Sequence, residues 1–172
     1  PQGTAPFSTL RIPARRKLAP VEINVTSLVK LWQEGTLPNQ GFRINNPQKI
    51  PLVFISKENK NYEYQPTLLI HTDTSSFELP VKADTILKKS TYRCLGESPV
   101  LNASHPVLTS FDITSIKRPI TKAVLKFTLA NKISKPVELE VFAITIIENS
   151  DTVKKGFSSH ISFNQYFYKS EI

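Results

Sequence analysis

The sequence predicts an all-β fold, an antiparallel sandwich of jelly-roll type with one short helix, and three observations carry that expectation. Short apolar–polar alternating runs recur along most of the 172 residues, and such alternation marks strands with one face in a core and one in water. The 13 Pro and 10 Phe set against 5 Gly fit strands separated by Pro-bearing loops. One stretch alone has helical spacing, and it holds the single Trp of the chain. The length suits one domain over residues 1–172 with a substantial core.

Taken in order, residues 1–20 are rich in Pro and base, with one alternating piece, Phe7 to Ile12, that Pro13 should end. Val21 to Val25 alternates and leads into the helix. There Thr26 is placed to cap, since its hydroxyl can accept a bond from an orphan amide two or three residues on. Leu28, Val29 and Trp32 share one face, and Gly35 suits the left-handed residue that closes a helix. Pro38-Asn39 and Gly41 make a turn before the strand Phe42 to Ile44. A helix this short is not stable by itself, so Leu28 and Trp32 must plug into something larger.

Further strands are expected at Leu52 to Ser56, Thr67 to His71, Phe77 to Val81, Thr85 to Lys88 and Leu108 to Ile113. The clearest is Ala123 to Ala130, with Leu125, Phe127 and Leu129 on one face and Val124, Lys126 and Thr128 on the other. Val137 to Ile144 alternates next, with Val137, Leu139, Val141 and Ala143 facing in, and the two read as a hairpin. The last β-like run is Ile161 to Tyr168.

The formal net charge is +8, which permits an anionic partner such as acidic polysaccharide, nucleic acid or a membrane surface. The bases are scattered apart from Arg15-Arg16-Lys17, Lys88-Lys89 and Lys154-Lys155, and no aromatic residues interleave with a basic stripe, so no nucleic-acid partner is expected. No apolar run approaches a membrane span, so no membrane insertion is expected either. Cys94 is alone and cannot form an intrachain disulfide. His71, His105 and His160 show no spacing that would activate it. The absence of Met and the start at Pro1 imply a matured or excised piece. The triplets Asn24-Val25-Thr26 and Asn102-Ala103-Ser104 are glycosylation sequons, in keeping with a secreted or cell-surface protein.

Several stretches resemble DNRLRE-type domains, β-sandwiches appended to secreted polysaccharide-degrading enzymes. Val25-Thr26-Ser27-Leu28-Val29, Trp32, Gly35-Thr36, Pro38-Asn39 and Gly41-Phe42 are similar to that family's helix-bearing segment. Gln65 to Ile70 resembles its closing strand, Ala83-Asp84-Thr85 its opening, and Phe111-Asp112-Ile113 and Ile120 to Phe127 two strands between. The helix-and-strand pattern is also similar to the propeptide arm of TGF-β-like growth factors. Asn24 stands for the usual Asp, Gln65 for the usual Arg, and the family's Trp-bearing segment has no match. The order differs as well: the family's C-terminal half occupies residues 1–71 here and its N-terminal half residues 77–172. The chain is either a circular permutant joined through residues 72–76 or a cut from an array. Two half-sandwiches would leave raw edges, so one permuted sandwich is expected.

The resemblance implies noncatalytic binding of carbohydrate, with an anionic polysaccharide favoured by the charge; the alternative is a structural or adhesive module that assembles with itself or with a protein partner. Trp32 is expected in the core. Tyr62 with Tyr64, and Tyr166 with Tyr168, are two apart and would share a strand face as a sugar platform, with Arg15, Arg16 and Lys17 supplying charge. Tyr92 is a lesser candidate. Asp84 and Asp112, near strand starts, could hold a structural calcium; no other cofactor is expected. Glu138 and Glu140 share a solvated face, and the chain has no nucleophile elbow, phosphate loop or zinc spacing, so no catalysis is expected.

Overall fold

The computed structural model describes residues 5–88, 93–94 and 98–144. The run Ile161 to Tyr168, and with it Tyr166 and Tyr168, lies outside these residues, as does Tyr92. The described chain is all-β with a single α-helix. The strands are β1 (Ser8–Ile12), β2 (Pro20–Asn24), β3 (Phe42–Asn45), β4 (Val53–Ile55), β5 (Thr67–Thr72), β6 (Ser76–Pro80), β7 (Ala83–Lys88), β8 (Arg93–Cys94), β9 (Val100–Asn102), β10 (Val107–Ser110), β11 (Ile120–Thr128) and β12 (Val137–Ala143); helix α1 spans Thr26–Gln33. Every pairing between them is antiparallel.

One sheet has the order β1-β12-β3-β10-β7-β8, a second the order β2-β11-β5-β6, and β4 pairs with β9. The inner faces meet in one core. Leu28, Trp32, Phe42, Phe54 and Leu68 from the first half of the chain join Phe111, Leu125, Phe127, Leu139 and Val141 from the second. Phe54 stacks on Phe127 with ring centroids 4.5 Å apart. Burying each such side chain contributes roughly 1.5–3 kcal/mol, so the hydrophobic drive for folding comes from both halves together. Strands β5 and β6 form a tight hairpin that pairs Thr67 with Pro80 and His71 with Ser76, closed where the Thr72 amide donates to the Ser75 carbonyl (2.9 Å).

The expected β11–β12 hairpin does not form. Both edges of β11 are taken, by β2 and β5, and both edges of β12 by β1 and β3. The connection crosses from one sheet to the other. Buried Ile133 anchors it, through a pair of backbone bonds exchanged with Arg15 (2.9 and 2.8 Å).

The helix packs Leu28, Val29 and Trp32 inward, and Trp32 lies 4.7 Å from Phe42 between ring centroids. Its C-terminus closes in a Schellman motif: the Gly35 amide donates to Trp32 (3.2 Å) and the Thr36 amide to Leu31 (3.0 Å), with Gly35 at φ +76. Its N-terminus differs from expectation. Thr26 is the first helical residue rather than the cap, and Asn24 Oδ1 accepts from the Thr26 amide (3.0 Å) and hydroxyl (2.7 Å). The hydroxyl of Thr26 instead accepts from the Ala123 amide on β11 (3.0 Å). A β11 amide within reach competes for the oxygen that a free helix would use on itself.

Candidate functional site

The loop between β4 and β5 carries Tyr62 and Tyr64, and they do not share a strand face. Tyr62–Tyr64 is a 3₁₀ turn. Successive side chains there rotate by about 120°, so residues two apart diverge. Tyr62 is 81% exposed, whereas Tyr64 is half-buried. The turn is set by its own polar residues, as Asn and Asp favour. Asn61 Oδ1 accepts from the Glu63 amide (3.2 Å), Asn59 Oδ1 from the Asn61 amide (2.9 Å), and Gln65 Nε2 donates to the Asn59 carbonyl (2.8 Å). Lys60, Asn61, Tyr62 and Glu63 line a shallow, open depression. An exposed ring beside an amide, an ammonium and a carboxylate can stack on an apolar sugar face while the polar groups meet hydroxyls.

Arg15, Arg16 and Lys17 are all exposed in the β1–β2 connection. The Ala19 amide donates to Arg16 (3.3 Å), closing a turn in which Leu18 takes φ 67. Thr67 stands opposite Lys126, and Pro20 opposite Thr128. The Tyr62 loop precedes Thr67 and the basic loop precedes Pro20, so both loops sit at the same end of the four-stranded sheet. The structure therefore gathers Tyr62 with Arg15, Arg16 and Lys17 at one end, and turns Tyr64 away.

The two aspartates expected near calcium occupy different settings. Asp84 is buried, and its Oδ2 accepts from the Lys57 amide (2.7 Å) while Oδ1 has no partner. Burial pushes its carboxyl up to about 6, against the opposing pull of the Lys57 amide and charge. Asp112 is exposed, and its Oδ1 accepts from the Thr114 hydroxyl (2.6 Å) and amide (2.9 Å), which hold its carboxyl below the usual range. Among the described residues no group of three or more His, Cys, Asp and Glu stands close enough to hold a metal.

The sequon residue Asn24 is exposed on β2, its carbonyl oxygen engaged by Thr26; Asn102 is exposed at the end of β9, where its Oδ1 accepts from the Ser104 amide (3.0 Å). Sequence reasoning missed Lys49, Lys132 and Lys135, which reach the basic end only through the topology. Among the described residues no helix is long and apolar enough to cross a membrane. No protein-family model, curated protein or solved structure matches the chain.

Proposed function

We propose that this chain is a noncatalytic extracellular module that binds carbohydrate, with an anionic polysaccharide as the favoured ligand. The observation that carries the reading is Tyr62: a ring 81% exposed, held in a hydrogen-bonded turn at the same end as Arg15, Arg16 and Lys17. A ring held among Lys60, Asn61 and Glu63 offers an apolar face with hydrogen-bonding groups around it, and the net charge of +8 favours an acidic polymer over a neutral one. Localisation at the cell surface or in the medium, the likeness to DNRLRE-type domains and the permuted jelly-roll order belong to the same reading. The β5–β6 hairpin across residues 72–75 and the core shared by both halves support that order. Titration calorimetry of the chain against one acidic and one neutral glycan tests the function, and a heat of binding to the acidic glycan is expected.

A second reading, a structural or adhesive module, is favoured by β6. This strand ends the four-stranded sheet, and Phe77 on it is 38% exposed. An open edge of this kind can pair with another chain. Absence of glycan binding together with concentration-dependent oligomers would put this reading in place of the first.

A further inference from the structure

Three loops meet beside Arg15. Residues 13–19 are joined to residues 129–136 by the reciprocal bonds of Arg15 and Ile133, and by the Leu18 amide on the Leu129 carbonyl (2.9 Å). Residues 46–51 join through Asn131, whose Nδ2 donates to the Pro51 carbonyl (3.2 Å) and whose Oδ1 accepts from the Val53 amide (2.9 Å). Gln48 Oε1 adds a bond from the Glu138 amide (3.2 Å) at the margin. These three loops contain Arg15, Arg16, Lys17, Lys49, Lys132 and Lys135 and no acidic residue. All six cations are exposed, and no ion pair among the described residues engages them.

The backbone offers a second sign. The two non-glycine residues with left-handed backbone among those described, Leu18 at φ 67 and Lys49 at φ 52, both lie in these loops. Such conformations are costly for side chains larger than hydrogen and concentrate where a loop has a task beyond connection. Six cations in loops that hold no acidic residue also repel one another, with exposed Glu138 the carboxylate at their margin, so the folded chain alone gains little from the arrangement.

We infer that these three loops form a polyanion-binding cradle at the end of the sandwich, with Lys132 and Lys135 as its second arm opposite Arg15-Arg16-Lys17, and that its ligand is a sulfated or carboxylated polysaccharide chain. The inference rests on the carbohydrate reading and gives it a site. Charge spread over three loops, rather than sunk in a pocket, fits a linear polymer with repeating anions. Tyr62 at the same sheet end can stack on a sugar ring of that polymer. A duplex groove is a poorer fit, because the described α-helix begins at the other end of β11, against Ala123, and among the described residues no α-helix stands at this end to enter it.

The test uses dextran sulfate and unsulfated dextran, which share a backbone and differ in anionic groups. The probes are titrated into the wild-type chain, the double variant K132E with K135E, and a control double variant K30E with K122E of equal charge change on exposed sites elsewhere. Near physiological salt, where exposed charges act only within about 8 Å, the cradle variant should lose about tenfold or more in affinity and the control about twofold or less. Unchanged near-ultraviolet circular dichroism checks that each variant is folded. Equal losses in both variants overturn the cradle and leave the polysaccharide reading standing. No binding of dextran sulfate by the wild-type chain overturns both. Tighter binding to a 20-base-pair duplex, or to vesicles of anionic phospholipid, at the same salt overturns the choice of ligand.

Discussion

Gly41 passes so close to the carbonyl oxygen of Thr109 that no side chain fits between them. A Cβ on Gly41 would overlap that oxygen and come within 3.3 Å of the Ile144 side chain. Thr109 pairs with Phe42 across β10 and β3, so this contact sets the entry of β3 into the sheet. Gly41 also sits at φ +101, where L-residues are strained. Gly41→Ala should therefore cost about 2–4 kcal/mol, strain and overpacking together. Gly35 has φ +76 but nothing within 4 Å of a built Cβ, so Gly35→Ala should cost only about 1–2 kcal/mol. Urea unfolding of the two variants gives the comparison, and equal costs would mean the Thr109 contact relaxes freely.

Trp32 tests the core. It is 6% exposed, against fully buried Leu28, and tilts against Phe42. Trp32→Ala should cost roughly 3–5 kcal/mol through lost transfer energy and the cavity left behind. Trp32 Nε1 is buried without an acceptor, so Trp32→Phe removes a buried donor that gains nothing from being there. It should cost well under half as much as the alanine variant. Native emission should be blue-shifted; a red-shifted emission that responds to oligosaccharide would transfer Trp32 from core to binding surface.

Asp84 should make stability depend on pH in the direction opposite to most carboxylates. Its folded-state value is raised from 3.8 to about 6, so between those values the folded chain holds more protons than the unfolded one. Stability from this group is then full below about pH 4 and falls as pH rises through about 6, by at most about 3 kcal/mol. Asp84→Asn keeps an acceptor for the Lys57 amide and removes the buried charge. It should stabilise the protein by about 1–3 kcal/mol at pH 7 and leave it nearly unchanged at pH 4. Denaturation at both pH values decides the point; loss of stability at pH 7 would show that the ionised carboxylate is needed, as it would be if it held a cation.

Strands were legible because their faces differ. Leu125, Phe127 and Leu129 alternate with Val124, Lys126 and Thr128, and that spacing marks the strand and its inner face, although Val124 and Thr128 on the other face are buried as well. Gly35 was legible because left-handed backbone has few occupants. Pairing was not legible: nothing in β11 and β12 says that the eight residues between them cross to the other sheet, since that depends on β2, β5, β1 and β3 occupying the edges. Thr26 was misplaced for a similar reason, because Ala123 is 97 residues away. The tyrosine spacing implied a strand face, but Asn59 and Asn61 bent the segment into a 3₁₀ turn. Lys132 and Lys135 looked scattered because backbone bonds between residues far apart in the chain, Arg15 with Ile133 and Leu18 with Leu129, bring them beside the basic loop.

The divergence of Tyr62 and Tyr64 turns a paired platform into a single ring, and that changes what mutation should do. Tyr62→Ala should weaken binding to an acidic glycan by about 1–3 kcal/mol, the range of one aromatic stack on a planar or ring face, and by a similar factor at low and high salt, since stacking is not Coulombic. Tyr64 is half-buried, so Tyr64→Ala should lower stability while altering affinity little in the protein that remains folded. Replacing Arg15, Arg16 and Lys17 together should weaken binding near physiological salt and more strongly at low salt, where screening lengths are longest. Calorimetry at two salt concentrations separates the three variants. An affinity loss for Tyr64→Ala as large as that for Tyr62→Ala, with unfolding curves unchanged, would restore the paired platform and remove the 3₁₀ turn as the element that selects Tyr62.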